Sequence, residues 1–373
     1  MHRTLTGAIA ALLGAATLAI ANENGSASDP HNPSLSNSVV AKNVSRASDL
    51  EVTYPGGSSG VKLAGTLTLP RATGPFPAIL LIQGSGPGNR DEVVDGRGLF
   101  PAIADALVRQ GVAVLRFDKR GTGNSTGNFD TATTLDFAGD VEAGLAFLRG
   151  RNDIRRNNIG LLGHSEGGLI APMVAAKDKS VAFMVLMAAP AVRGAAILRE
   201  QGVLALKASG LSGARLSEAA DIQRQMIDTI ISENDLNKAN VRLQALNSRL
   251  TDVEGGPDKM IGAKLGALNT AWGRFFLSYD PADSLMHTIC PVLVLNGSAD
   301  VQVAPEQNLS AIRTALRGHR DVEIYQLEGL SHMFRTVSNN ANSRLTTNEA
   351  IAPIALETIA PWVAKHKFDQ GQR

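Results

Sequence analysis

The segment Gly163-His164-Ser165-Glu166-Gly167 has the residue types of a nucleophile held on a sharp turn. It follows the apolar run Ile159-Gly160-Leu161-Leu162 and precedes a helix-forming stretch, so the serine falls between a strand and a helix. On such a turn the hydroxyl projects above the sheet, and glycines two residues to either side leave the turn room. The N–H of Glu166, at the start of the helix, points where negative charge collects when the serine attacks a carbonyl carbon. That chemistry is nucleophilic acyl transfer, and it needs two more side chains. A base must take the hydroxyl proton, and a carboxylate must orient the base.

Candidates for both lie downstream in the order such a sheet demands, acid before histidine. Asp300 sits in Gly297-Ser298-Ala299-Asp300, just after the apolar run Val292-Leu293-Val294-Leu295-Asn296. His332 sits in Gly329-Leu330-Ser331-His332, after a run ending at Leu327. Both therefore follow strands, as Ser165 does, and the three meet at one edge of a parallel sheet. Each has a plainer reading alone, since Gly-Ser-Ala-Asp is ordinary turn chemistry and a loop histidine is commonly only polar. The other histidines fit less well. His2 and His31 precede the folded region, His164 is fixed within the turn, His287 and His319 precede strands, and His366 lies in the tail. Asp283 and Glu328 are rival acids, and neither follows a strand in the required way.

A second backbone donor is expected in the loop after the first parallel strand. Gln83-Gly84-Ser85-Gly86-Pro87-Gly88 occupies that place, and we assign the N–H of Ser85 to it beside that of Glu166. A phosphate-cradling loop is the rival reading, but no G-x-x-x-x-G-K-[ST] pattern is present. Arg90-Asp91 reads as a loop-fixing ion pair, and Asp118-Lys119-Arg120-Gly121-Thr122-Gly123-Asn124-Ser125 as a structural turn in the site wall. The histidines are dispersed, and neither H-x-x-x-H nor C-x-x-C occurs, so no metal site is expected.

The elements that must hold these residues follow from hydrophobic pattern. Alternation at 50–54 and 61–69, separated by Gly56-Gly57-Ser58-Ser59-Gly60, predicts an antiparallel pair. Continuous apolar runs at 78–82, 112–117, 158–163, 181–189 and 291–296 predict strands covered on both faces, with a further strand at 322–327. Helical spacing at 101–110, 135–149, 167–176 and 351–365 alternates with them, Pro172 bending the third. Between about 192 and 284 the pattern turns wholly helical, at 197–208, 216–231, 240–250 and 260–277. The expected fold is α/β, a mostly parallel sheet with helices on both faces and an inserted helical cap over the strand ends where open sheets bind ligands. The rival placement has these helices extending the core elsewhere. Trp272, Phe275 and Phe276 either line an apolar acyl pocket there or pack within the cap.

Composition narrows the class. With 36 basic and 35 acidic residues the net charge is +1, and nothing resembles the clustered positive charge that a nucleic acid backbone requires. Residues 1–21 have a basic head, an uncharged run of small and apolar residues and an A-x-A site at Ala19-Ile20-Ala21. They read as a secretory signal peptide, shorter than a comfortable membrane span, which implies an exported protein, periplasmic or secreted, with no membrane span after cleavage. Residues 22–47 read as a flexible leader and 48–373 as one domain. Cys290, the sole cysteine, allows no internal disulfide and reads as a buried small hydrophobe.

Taken together, G-S-G-P-x-x-R-D from Gly84 to Asp91, D-x-R-G-x-G-x-S from Asp118 to Ser125, G-H-S-E-G-G from Gly163 to Gly168, and the segments 296–303 and 329–334 resemble an α/β-hydrolase. Within that superfamily the chain is similar, over roughly residues 48–366, to bacterial carboxylesterases related to the serine aminopeptidase branch, which carry a helical cap and often a signal peptide. The resemblance implies Ser165 as nucleophile, Asp300 and His332 as its partners, and hydrolysis of small-molecule esters without a cofactor. Many members have His before Gly where this chain has Gln83; the hole donors are backbone groups, so loop support is what the change touches. Peptide or thioester hydrolysis by the same triad, and a non-catalytic binding role on the same scaffold, are the alternatives.

Overall fold

The computed structural model describes residues 48–255, 261–337 and 349–367. The signal peptide and leader expected at 1–21 and 22–47 lie outside the described residues, as does the end of the domain beyond 367.

Two antiparallel strands, β1 (Ser48–Pro55) and β2 (Lys62–Leu69), open the fold in the register Leu50↔Leu67 and Val52↔Gly65. Then follow β3 (Phe76–Ile82), a hairpin of β4 (Val93–Val94) and β5 (Arg97–Gly98), α1 (Leu99–Arg109) and β6 (Ala113–Phe117). Next come α2 (Thr134–Arg149), β7 (Ile154–His164), α3 (Glu166–Lys177) and β8 (Met184–Met187). The chain then runs through α4 (Gly194–Ala208), α5 (Gly213–Ser232), α6 (Leu236–Glu254), α7 (Ile261–Gly266), α8 (Ala271–Ser278) and α9 (Pro281–Met286). It returns as β9 (Val292–Gly297), α10 (Pro305–Ala315), β10 (Val322–Leu327) and α11 (Pro353–His366).

Among the described residues the main sheet has eight strands in the order β1-β2-β6-β3-β7-β8-β9-β10. Pairing is parallel from β6 through β10 and antiparallel at β1–β2 and β2–β6. The continuous apolar runs are explained by burial on both faces. In β3, Ala78, Leu80 and Ile82 enter a core shared with α2, α3 and the helical insert, while Ile79 and Leu81 enter another shared with α1 and α11. Each of these leucines and isoleucines contributes about 1.5–3 kcal/mol on burial. Close packing leaves no room at Gly160 in β7, where a Cβ would meet the Phe183 ring at 2.2 Å.

Several expectations shift in detail. The strand expected at 181–189 is shorter, because Val181–Phe183 only approach the sheet and Ala182 donates its N–H to the Ile159 carbonyl. The helix expected at 260–277 is two, α7 and α8, since Thr270 turns out of the first and its hydroxyl caps the second by accepting the Gly273 N–H at 3.0 Å. Helices α9 and α10 were not expected. Both begin with proline at the first turn, and Asp280 caps α9. Pro172 stands inside α3, and its missing N–H leaves the Gly168 carbonyl without its helical partner. His366 is not in a loose tail; it closes α11, buried, its ring 4.0 Å from that of Trp362.

The D-x-R-G turn after β6 ties distant segments together. Arg120 makes a buried, two-point pair with Asp140 of α2, at 2.7 and 2.8 Å. Asp118 accepts the Arg90 guanidinium at 2.8 and 3.2 Å, the Arg90 N–H at 2.9 Å and the Asn124 N–H at 3.1 Å. Arg90 and Asp91 do not pair with one another, contrary to expectation. They are the central residues of the turn closed by the Glu92 N–H on the Asn89 carbonyl, and their side chains diverge, Arg90 toward Asp118 and Glu51, Asp91 toward Arg116. Burial raises the Asp118 carboxyl, but the bonds from Arg90 and from the Asn124 and Arg90 backbone N–H groups outweigh it and hold the group below its ordinary 3.8. A carboxyl lowered by folding stabilises the fold above its unfolded value and loses that contribution as pH falls through the folded one. Asp118→Asn is therefore expected to lower the urea midpoint at pH 7 and to flatten its decline below pH 3.8. Parallel acid limbs in the two proteins would count against this assignment.

Candidate active site

Ser165 joins the end of β7 to α3 with φ 53° and ψ −119°, a conformation side chains rarely adopt. The glycines around it are dictated by contact. A Cβ at Gly163 would meet the Gly167 carbonyl oxygen at 2.0 Å, and one at Gly167 would meet the Ile82 carbonyl oxygen at 2.0 Å. The Ser165 N–H donates to the Met187 carbonyl of β8 at 2.9 Å, which fixes the turn to the sheet. The residue is almost wholly covered, 5% exposed.

Asp300 and His332 converge on the same strand edge. His332 Nδ1 lies 2.8 Å from Asp300 Oδ2, and the other carboxylate oxygen accepts the N–H groups of Gln302 and Val303 at 2.8 and 2.9 Å. Asp300 is thus held from both sides and leaves the imidazole one orientation, with Nε2 turned away from it. The rivals are elsewhere: Asp283 is exposed on α9 and faces His287, and Glu328 is exposed. The His332 loop is pinned from beneath by Arg335, which is buried and donates to the Val94 carbonyl at 2.7 Å, while the Arg335 carbonyl accepts the Ser331 N–H at 2.9 Å.

His164, set aside in the sequence, occupies a second acid–histidine contact. Its Nδ1 lies 2.8 Å from Glu92 Oε1 and its Nε2 3.0 Å from the His332 carbonyl oxygen. The Glu92 carboxylate and the His332 carbonyl are both acceptors, so each ring nitrogen faces an oxygen to which an N–H can donate. Burial pushes its pKa down, but the Glu92 carboxylate beside it more than compensates and the net direction is up. The same Glu92 oxygen accepts the Gly84 N–H at 2.7 Å.

The loop after β3 brings Gly84 against Ser165, where a Cβ would lie 3.0 Å from Ser165 Cβ, with Ser85 next in the chain. Glu166 opens α3, where the first N–H groups have no helical acceptor and the helix dipole favours negative charge. Gln83 supports the loop as expected, donating to the Phe117 and Asn89 carbonyls. The Asp118–Ser125 turn does more than shape a wall. Lys119 enters the site, its Nζ 2.6 Å from the Gly84 carbonyl oxygen and 3.1 Å from Glu166 Oε2. Neither Lys119, Glu92 nor the Glu166 carboxylate stood out in the sequence, and the one signal for Lys119 is a charge directly at a strand end.

The helical insert reaches the same place through Trp272. Trp272 of α8 donates its indole N–H to Glu166 Oε1 at 2.6 Å and stacks on Phe276 at 5.1 Å. Phe276 is buried against Gly194, and Phe275 stacks instead on Tyr279 at 5.2 Å, so of the three aromatics Trp272 bonds to the residue after Ser165. Cys290 is buried, and burial pushes its thiol up to about 12. Among the described residues no group of three or more His, Cys, Asp or Glu is placed to hold a metal ion, and no helix is long and apolar enough to cross a membrane.

A mostly parallel sheet of this order, with a serine on a strained strand–helix turn, defines an α/β-hydrolase fold. The family model Hydrolase_4, serine aminopeptidase S33, matches residues 94–336, and the chain belongs to that family. Esterase EstD of Thermotoga maritima is 28% identical over 274 residues, a match covering 73% of this chain and 58% of that protein. The chain thus spans less than two thirds of that relative's length. Among solved structures, Est1E from Butyrivibrio proteoclasticus with bound ferulic acid aligns with a TM-score of 0.51 at 17% identity, covering 84% of this chain and 98% of that one. DcsB in complex with a substrate analogue aligns with a TM-score of 0.54 at 15% identity, covering 86% and 100%. These two likenesses are of fold.

Proposed function

We propose that the protein is a carboxylesterase-type serine hydrolase that cleaves esters of small or medium acyl groups through Ser165, His332 and Asp300. The observation that carries the reading is the 2.8 Å contact of His332 with Asp300 at the strand edge from which the strained Ser165 emerges. The printed name of the Thermotoga relative, an esterase, supports the choice of bond.

In this mechanism Ser165 Oγ attacks the ester carbonyl carbon while His332 Nε2 takes its proton, and Asp300 holds the Nδ1–H and the imidazolium that forms. The carbonyl oxygen becomes an oxyanion, which accepts the N–H groups of Glu166 and Ser85, each worth about 3–4 kcal/mol in such sites. His332 then gives its proton to the departing alkoxide, leaving Ser165 acylated. Water, deprotonated by the same histidine, attacks the acyl-enzyme through a second oxyanion and releases the acid. The helical insert, reaching Glu166 through Trp272, serves as the cap over the acyl site. The pattern of residues 1–21 supports an exported address, periplasmic or secreted.

The test is hydrolysis of p-nitrophenyl esters from acetate to laurate against aminoacyl p-nitroanilides and acyl thioesters. Turnover of short and medium esters, at least tenfold above the other bonds in kcat/KM, is the expected result. Preference for anilides would move the protein to the peptidase reading that its family's name suggests. Inertness toward every substrate would leave a binding role on a hydrolase scaffold.

A further inference from the structure

The two backbone donors assigned to the oxyanion belong to peptides that share a single buried ion pair. Lys119 and Glu166 have side chains only 2% and 1% exposed, and they meet at 3.1 Å. Every polar position of the pair is used. Lys119 Nζ also donates to the Gly84 carbonyl at 2.6 Å and sits 4.6 Å from the Phe137 ring centroid, a cation over an aromatic face. Glu166 Oε1 accepts the Thr134 hydroxyl at 2.7 Å and the Trp272 indole N–H at 2.6 Å.

The contact with Gly84 matters through peptide geometry. The Gly84 carbonyl and the Ser85 N–H belong to one planar trans unit and point in opposite directions. Fixing the carbonyl on Lys119 therefore aims the Ser85 N–H the other way, and a cation on the carbonyl oxygen polarises that N–H into a stronger donor. The preceding peptide is fixed separately, its Gly84 N–H on Glu92 Oε1 at 2.7 Å. At the other end of the pair, the Glu166 side chain is locked by Lys119, Thr134 and Trp272, which immobilises the residue whose own N–H is the second donor.

A buried ion pair adds little stability over an apolar pair of the same size. What it supplies here is orientation. We propose that Lys119, acting through Glu166 and the Gly84 carbonyl, is the positioning residue of the oxyanion hole: it sets both donors at once and ties their geometry to the seating of Trp272 from the helical insert. The inference rests on the esterase reading above.

The test begins with wild-type protein and a fluorophosphonate, which labels an activated serine irrespective of acyl preference. It continues with Lys119→Met and with the double variant Lys119→Met/Glu166→Gln, in which no charge is left unpaired and the Glu166→Gln amide oxygen still accepts from Trp272 and Thr134. For both variants kcat on the preferred p-nitrophenyl ester is expected to fall about 10²-fold with KM within threefold. Affinity for a phenylboronic acid, whose serine adduct places an anionic oxygen in the hole, is expected to fall in the same proportion. If Lys119→Met fails to fold, the double variant decides. Either kcat within threefold of wild type in the folded double variant, or a loss confined to KM, overturns the proposal while leaving a labelled, active wild type as an esterase. A wild type that neither labels at Ser165 nor hydrolyses any ester overturns the parent reading, and this inference with it.

Discussion

Ser165→Ala is expected to lower kcat on p-nitrophenyl esters by at least ~10⁴-fold, to the level left by binding and the oxyanion donors alone. The change removes one oxygen and nothing else that the site depends on. The elbow is fixed by the Ser165 N–H on the Met187 carbonyl and by the contacts of Gly163 and Gly167, all of which an alanine retains. Alanine meets the same cost at φ 53° that serine does, so the free energy of unfolding should change by less than ~0.5 kcal/mol. Activity lost at unchanged stability assigns the nucleophile to this hydroxyl. Retained turnover above a hundredth of wild type would place the nucleophile elsewhere.

The second large effect is expected at Asp300. Asp300→Asn should reduce kcat by about 10⁴-fold near neutral pH with KM little changed. The reason lies in which oxygens are spoken for. Oδ1 accepts two backbone N–H groups, from Gln302 and Val303, so the amide of the variant must keep its oxygen on that side. Its NH₂ then faces His332 Nδ1, which has to become an acceptor, and the ring proton moves to Nε2. A histidine protonated at Nε2 cannot take the Ser165 proton. The loop geometry is retained while the tautomer is inverted. Asp283→Asn, on an exposed carboxylate of α9, serves as the control and should leave kcat unchanged. A loss below tenfold at Asp300 would mean that another group orients the base.

How much of this was legible in the sequence differs with the kind of interaction. Strands β3, β6, β7 and β9 announce themselves because both their faces are buried, and an unbroken aliphatic run records that. Ser165, Asp300 and His332 could be singled out as candidates because each follows a strand, and strand order in a parallel sheet converts position along the chain into position in space. Lys119, Glu92 and Trp272 could not, for their partners Gly84, Glu166 and His164 lie far off in the chain and are met only through tertiary packing. A lysine at a strand end normally reaches solvent, and only the folded structure shows this one turned inward. Arg90 and Asp91 mislead for the converse reason: they are neighbours at the centre of the Asn89–Glu92 turn with side chains facing apart, so opposite charges side by side form two separate pairs. The hairpin of β4 and β5 has two residues per strand, too few to establish any period.

Strands β8 and β9 pair directly, Met187 beside Leu295, although residues 188–291 intervene. To the sheet this whole stretch is a single loop whose ends are already side by side. The entropic cost of closing such a loop rises only with the logarithm of its length, about 0.6 kcal/mol per doubling. Lengthening, shortening or replacing the helices between those ends therefore adds little closure cost to the open sheet that presents Ser165. A lineage exploring new substrates can rewrite this stretch wholesale. The transplant must still refill the core that the insert shares with α2 and α3 and deliver a donor to the Glu166 carboxylate where Trp272 now supplies it.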